Sequence, residues 1–143
     1  MAAPEQFFPA PRPGDIIWCH FPQDKQLIPG PKPRPALVIK VGEIEGNPAV
    51  AVAYGTSKRV DALHPGEFAI TRADREAFTL AGLSFDTKFD LTNIIELPYS
   101  VRWFTVPPGA PHGQSPKLGL LHPTILRRAA AAHRAAHRAA AKL

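Results

Sequence analysis

The stretch that decides the fold is Lys32-Pro33-Arg34-Pro35-Ala36-Leu37-Val38-Ile39, in which an arginine between two prolines precedes an apolar run. Proline fixes its own φ and restricts the preceding residue to extended geometry, so Arg34 has little backbone freedom. The apolar residues that follow predict a buried strand. A cation held at the start of a strand suits an anionic group such as phosphate, which the planar guanidinium can meet with two hydrogen bonds. The alternative for a loop arginine is a surface ion pair.

Apolar patterns on both sides of this stretch predict a set of short strands. They mark strands at residues 16–21, 36–41, 49–54 and 67–70, and within residues 85–97. Between the first two lies Pro22 to Pro35, a loop with five prolines that is stiff and long enough to indicate a function. Short strands with few long helices predict a mainly β body.

Two helices are predicted beside the strands. Thr71 offers an N-cap, with Asp74 three residues later, for a short helix that ends near Gly82. Pro123 suits a first helical position, and alanine dominates from there to residue 142.

The faces of the second helix differ in chemistry. One carries Ile125, Ala129, Ala132, Ala136, Ala139 and Leu143, the opposite one carries Arg127, Arg134, Arg138 and Lys142, and His133 and His137 lie at the flank. The alanine face buries little area, so weak docking is expected. The basic face is either solvated or contacts RNA or a partner.

Length and composition favour a single domain over residues 1–143, with a strand-rich body at 14–97, a proline-rich connector at 98–122 and a basic helix at 123–142. Cys19 is the only cysteine, which excludes an internal disulfide, and its position in a strand pattern predicts a buried structural thiol. No apolar run approaches the roughly 20 residues that span a bilayer, and the first residues do not read as a secretion signal. Cytoplasmic residence without a membrane partner is therefore expected.

Charge is unevenly distributed along the chain. Residues 1–96 hold 10 Lys and Arg against all 12 acids, whereas residues 97–143 hold 7 Lys and Arg and no acid. The net +5 charge therefore comes from the last third, which favours an anionic partner, either a nucleic acid or an acidic peptide.

Three segments in order resemble the MazF/PemK (Kid) family of type II toxin–antitoxin endoribonuclease toxins. They are Gly14-Asp15-Ile16-Ile17-Trp18, then Arg34-Pro35-Ala36-Leu37, then the strand from Ala49 to Tyr54 that runs into Gly55-Thr56-Ser57. The resemblance covers roughly residues 13 to 97. It implies a small SH3-like barrel (MazF/CcdB-like) with a short inserted helix and a long C-terminal helix. It also implies a homodimer with single-stranded RNA along the interface groove, and a cognate acidic antitoxin that occupies that groove.

The resemblance implies sequence-selective cleavage of single-stranded RNA without a metal or other cofactor. In this chemistry the ribose 2′-hydroxyl attacks the adjacent phosphate and leaves a cyclic phosphate and a 5′-hydroxyl. Arg34 falls on the catalytic arginine of the family, and Thr56 falls on its catalytic threonine. Since arginine stays protonated in proteins, its role would be charge stabilisation, with proton donation to the leaving oxygen possible. A plain turn is the alternative for Gly55-Thr56-Ser57.

Further site residues are expected around this pair. His20 departs from the acidic residue or asparagine that the family commonly has there; it could act as base or acid, or be a hydrogen-bonded structural histidine. The expected RNA-binding residues are Lys32, Ser57, Lys58, Arg59 and Asp90. Asp90 is otherwise a surface acid. Trp18 is expected in the core or an interface, with base stacking as the alternative.

Two other functions stay open. One is a catalytically inactive nucleic-acid-binding or regulatory barrel. The other is a gyrase inhibitor like CcdB, which is disfavoured because its relatives depend on a Trp-Gly-Ile terminus, whereas this sequence closes with Ala-Ala-Lys-Leu.

Overall fold

The computed structural model describes residues 5–23 and 27–141, and these form six strands and two α-helices. The strands are β1 (Asp15–Cys19), β2 (Arg34–Ile44), β3 (Asn47–Thr56), β4 (Glu67–Ile70), β5 (Thr87–Pro98) and β6 (Lys117–Leu120). The helices are α1 (Glu76–Leu80) and α2 (Leu126–Ala141), preceded by short 3₁₀ turns at Arg72–Asp74 and Pro123–Ile125.

The strands form one antiparallel sheet in the order β4-β5-β3-β2-β1-β6. The predicted mainly β fold with a long C-terminal helix is confirmed. The expected closed barrel is not observed: among the described residues β4 and β6 are the two edges of the sheet, and they do not pair with each other.

Apolar residues are buried on both faces of this sheet, because successive side chains of a strand point to opposite sides. The face covered by the helices buries Ile16, Leu37, Phe68, Phe89 and Ile125. The other face buries Ile17, Cys19, Val38, Val52, Tyr99 and Phe104. Strand β1 contributes to both faces, since Ile16 lies on the first and Ile17 and Cys19 lie on the second. Burial raises the pKa of the Cys19 thiol, which fits the predicted structural role.

The connector holds a strand that the sequence did not predict. Strand β6 lies within residues 98–122 and pairs with β1, where Lys117 Nζ lies 3.3 Å from Asp15 Oδ1. The Trp18 N–H also donates to the Pro116 carbonyl at 2.8 Å. The segment between the strand-rich body and α2 is therefore part of the sheet rather than only an irregular connection.

The short helix begins as predicted but is interrupted. The Thr71 N–H donates to Asp74 Oδ2 at 2.8 Å within the expected capping box. Arg75 then has a φ of 53°, a left-handed value that no helix continues through, so the 3₁₀ turn and α1 are separate.

Helix α2 docks on β4 and β5 by its alanine face, as predicted, with Ala132 and Ala136 buried. Arg128 adds a contact that the helical wheel did not indicate, since its guanidinium donates to the Ala69 carbonyl at 2.8 Å and to both carboxylate oxygens of Asp74. The hydrogen bonding of Arg128 to the Asp74 carboxylate lowers the pKa of Asp74. The predicted basic face is exposed at Arg127, Arg134 and Arg138, whereas Lys142 and Leu143 lie outside the described residues.

Within the described part of the chain, no helix is both long and apolar enough to cross a bilayer.

Candidate functional site

Strands β2 and β3 bring Arg34 and Thr56 together. Ala36 pairs with Tyr54 in the antiparallel ladder, so the same register places Arg34, two residues earlier, opposite Thr56, two residues later. Arg34 also pairs with Cys19 at the end of β1. The proline-flanked arginine is thus held between two strand ends, with its side chain at the end of the sheet where β1 finishes.

Arg34 and Thr56 line one cavity of about 390 Å³. Trp18 and Ser57 line it from the same strand ends. The segment after α1 contributes Leu83 and Phe85, and the segment before β6 contributes Pro107, Pro108 and Pro111. A cation and a hydroxyl therefore lie in a concave site whose other walls are mostly apolar. Its volume falls in the range of small-molecule sites, about 300–1,000 Å³.

Glycine at position 55 lets β3 approach its neighbours closely beside Thr56. A Cβ at this position would meet the Pro35 carbonyl oxygen and would lie 2.9 Å from a ring carbon of Phe89. The small residue therefore allows the Arg34 and Thr56 strand ends to lie side by side.

The guanidinium of Arg34 borders a second cavity of about 300 Å³, which Tyr54, Lys58 and Asn93 also line. Its Nε is buried and has no hydrogen-bond partner among the described residues. A buried donor without an acceptor is costly, and because the Nε is closed to the cavities, an anion would be bound by the rest of the guanidinium. The electrostatics of the site thus favour a negatively charged ligand at Arg34.

The hydroxyl of Thr56 is oriented by the turn that follows β3. Its Oγ1 accepts a hydrogen bond from the Lys58 N–H at 3.1 Å. Because a hydroxyl both accepts and donates, the Thr56 proton can still be donated to a ligand oxygen. Ser57 and Lys58 are exposed beside it, Ser57 at the first cavity and Lys58 at the second.

His20 lies at the base of the β1–β2 loop. Its Nδ1 is 3.0 Å from the Gly30 carbonyl oxygen, and its own carbonyl accepts from the Gly30 N–H at 3.1 Å. Since a carbonyl only accepts, Nδ1 carries the proton in this contact. His20 is not among the described residues that line the two cavities at Arg34. The geometry favours the structural alternative for this residue.

The other expected RNA-binding residues are not brought to the cavities. Lys32 and Arg59 are exposed on the flanking loops, and neither is among the described residues that line the two cavities at Arg34. The Asp90 carboxylate is half-buried and accepts from both the N–H and the hydroxyl of Thr92. Asp90 therefore stabilises a local turn in β5.

Some cavity residues were missed from the sequence. Asn93 interrupts the apolar pattern of β5, and that polar interruption was the available signal. Phe85, whose side chain is 65% exposed, precedes the strand and carries no pattern of its own. The prolines at 107, 108 and 111 lie in a long irregular segment, and segments of that kind are often functional.

Metal ligands are sparse in the described part of the chain. His133 and His137 have ring centroids 4.5 Å apart on α2. Across residues 5–23 and 27–141, His, Cys, Asp and Glu side chains do not form a group of three that could hold a metal ion.

The fold and site define a mainly β domain in which adjacent strand ends present a cation and a hydroxyl to one cavity. Residues 12–102 match the PemK-like, MazF-like toxins of type II toxin–antitoxin systems, and since this is more than half of the chain, the chain belongs to that family. The resemblance inferred from the sequence is confirmed. The matched segment contains Arg34 and Thr56, whereas β6 and α2 follow it. No curated protein matches the chain. Membership of a type II toxin family implies an antitoxin partner.

Proposed function

We propose that the protein is an endoribonuclease toxin that cleaves single-stranded RNA by attack of a ribose 2′-hydroxyl, without a metal ion. Family membership supports the toxin–antitoxin role. The observation that carries the cleavage proposal is the shared cavity of Arg34 and Thr56. DNA lacks the attacking hydroxyl and would not react in this way.

In the proposed reaction the 2′ oxygen forms a bond to phosphorus while the bond from phosphorus to the 5′ oxygen breaks. The products are a 2′,3′-cyclic phosphate and a 5′-hydroxyl. Negative charge accumulates on the phosphorane, and Arg34 would neutralise that charge. Fixed donors of this kind contribute about 10²–10³-fold in rate.

The hydroxyl of Thr56 would donate to a non-bridging phosphate oxygen and so orient the phosphate. Ser57 and Lys58 extend the polar rim and would position neighbouring phosphates rather than select bases. The apolar wall that includes Trp18 and Phe85 would hold the base next to the scissile phosphate.

In this proposal water accepts the proton of the 2′-hydroxyl. No carboxylate or imidazole lines the two cavities among the described residues, so the 2′ proton would leave to a water molecule. The leaving 5′ oxygen would take a proton from the Arg34 guanidinium or from water. Charge stabilisation would then be the main contribution of the protein.

The assembly is also part of the proposal. We infer a homodimer in which RNA lies along a groove between the subunits, and an acidic antitoxin that competes for the same basic surface. A toxin that cleaves RNA would act in the cytoplasm, where single-stranded RNA is translated.

The test is cleavage of a long single-stranded RNA in EDTA, with the new 5′ ends mapped for hydroxyl groups. Arg34→Ala is expected to lower the cleavage rate by about 10²–10³-fold, because it removes the phosphorane charge partner. Arg75→Ala is the control, since this arginine is exposed and lies outside the lining of both cavities. Full activity in a folded Arg34→Ala protein would refute the site. RNA binding without cleavage by the wild type would favour the inactive nucleic-acid-binding alternative.

A further inference from the structure

Strand β5 leaves its regular register beside the candidate site. Ala53 of β3 pairs with Ile94, whereas the next residue, Tyr54, pairs with Asp90. Residues 91–93 are therefore extra on the β5 side and form a bulge. Leu91 is buried under the bulge, whereas Thr92 and Asn93 are exposed.

The bulge connects the candidate site to α2. Asn93 lines the second cavity together with Arg34 and Lys58. Its two neighbours in sequence, Thr92 and Ile94, line a groove of about 450 Å³ against His133 and His137. The bulge therefore borders both the second cavity at Arg34 and the histidine flank of α2.

The chemistry along this surface suits an extended polyanion. Arg134 and Arg138 each follow a histidine by one residue, so they lie about 100° further round the helix, on its exposed side. Among the described residues the only ion pair of α2 is that of Arg128 with Asp74, on the opposite flank. Asp90 is the acid adjoining the bulge, and its carboxylate is engaged by Thr92.

We propose that the bulge and the histidine flank of α2 bind the segment of single-stranded RNA that adjoins the scissile phosphate. This inference rests on the proposed function. Arg134 and Arg138 contact phosphates of that segment, and a base stacks on the imidazole rings of His133 and His137, which the small alanines around them leave accessible. RNA fits better than an acidic peptide, because imidazole faces are stacking surfaces for unpaired bases and because the bulge also borders the cavity at Arg34.

The first test measures the salt dependence of RNA binding. The probes are 2′-O-methyl oligouridylates of fifteen and four nucleotides, which cannot be cleaved because the attacking hydroxyl is blocked. Arg134→Ala/Arg138→Ala is expected to lower the slope of log affinity against log salt by about 1.4 for the long probe, since each lost phosphate contact contributes about 0.7 on single strands. The short probe, which occupies only the Arg34 site, should show the wild-type slope.

The matched control is Lys40→Ala/Arg102→Ala, which removes the same charge from exposed positions away from this surface. Equal slopes for the wild type and the α2 variant would overturn the proposal, and so would an equal loss in the control. An unchanged RNA slope with weakened binding of oligoglutamate would assign the surface to a protein partner and would also overturn it.

The second test separates stacking from charge. His133→Ala/His137→Ala is expected to weaken binding of the long probe about tenfold, within the range measured for one stacked base, and to leave the salt slope unchanged at pH 8. His112→Ala, at another exposed histidine, should bind like the wild type. Wild-type affinity in the α2 double variant would contradict the stacking role.

These results are independent of cleavage. A wild-type protein that cuts no RNA but shows the α2-dependent slope would refute the proposed function and would still support RNA binding by α2. A protein that cuts RNA but shows an unchanged slope in the α2 variant would support the proposed function and refute this inference.

Discussion

At Arg34 the restricted backbone and the positive charge of the side chain both favour binding of an anion. The flanking prolines restrict the backbone, and the pairing with Cys19 of β1 places Arg34 at the border of two cavities. The buried Nε lacks an acceptor among the described residues. Leaving such a donor unsatisfied costs about 1–3 kcal/mol. The charge of the guanidinium at the border of the two cavities favours an anion at this position.

His20 is expected to act as a positioning residue that stabilises the loop base. His20→Ala loses the hydrogen bond to the Gly30 carbonyl and should lower stability by about 1 kcal/mol, with less than a tenfold change in kcat. His20→Asn, whose amide can donate to the same carbonyl, should restore most of the stability. The measurements are thermal unfolding and the pH profile of RNA cleavage. A fall in kcat of about 10²–10⁴-fold in both variants would instead identify a general acid or base.

The candidate site was predictable where local sequence determines geometry. Arg34 could be predicted because two prolines and an apolar strand surround it, and Thr56 because it ends the next strand. Asn93 reaches the site only because β5 bulges, which depends on pairing between distant strands. Asp90 and His20 were chosen from their positions in the family pattern, but their side chains are engaged by neighbouring groups.

At the level of elements, strand β6 and helix α1 position the apolar wall of the cavity that Arg34 and Thr56 share. Gly82, after α1, and Leu118, in β6, both line the cavity. The two segments pack backbone against backbone, since a Cβ at Gly82 would meet the Leu118 carbonyl, and one at Gly119 would meet the carbonyl groups of Leu80 and Ala81. The position of this wall therefore depends on two small residues.

Gly119→Ala is expected to destabilise the protein by about 1–3 kcal/mol, because the added methyl group forces the end of α1 away from β6. It should also lower kcat/KM for RNA, since the cavity wall shifts. Gly42→Ala is the control: no atom lies within 4 Å of its added Cβ, and its φ is not positive. Urea unfolding and RNA cleavage check both variants. Equal stability of the two variants would show that the close approach is not required.

The sequence located most strands from their own apolar residues, including the four-residue strand β4, which was predicted at 67–70. Strands β2 and β3 and helix α2 carry continuous or periodic apolar residues, and each was located to within a few residues. Strand β6 has four residues, one of them Gly119, and its signal comes from pairing with β1 rather than from its own composition. Sheet closure likewise depends on contacts between edges, so the expected barrel could not be tested from local patterns.

Among the described residues of the whole molecule, three ion pairs connect segments that are distant in sequence, one of them the pair of Lys117 with Asp15 between β6 and β1. Lys88 Nζ lies 3.0 Å from Glu67 Oε1 between β5 and β4, and Arg128 joins α2 to Asp74. Burial raises the pKa of Glu67, but hydrogen bonds from the His64 N–H and from Lys88 outweigh it, so the net pKa is lowered. The pKa of Asp74 is lowered mainly by its hydrogen bond from Arg128.

These lowered pKa values predict how stability depends on pH. A carboxyl group whose folded pKa is depressed stabilises the protein above its unfolded value, about 3.9 for Asp and 4.3 for Glu, and loses that contribution as the pH falls through the folded value. We therefore expect the free energy of unfolding in urea to be constant near neutral pH and to fall below about pH 4. Glu67→Gln/Asp74→Asn should be less stable at pH 7 and should lose less stability on acidification. Glu43→Gln/Asp61→Asn, at exposed acids, should follow the wild-type curve. Parallel curves for the wild type and Glu67→Gln/Asp74→Asn would show that the two pairs do not determine acid stability.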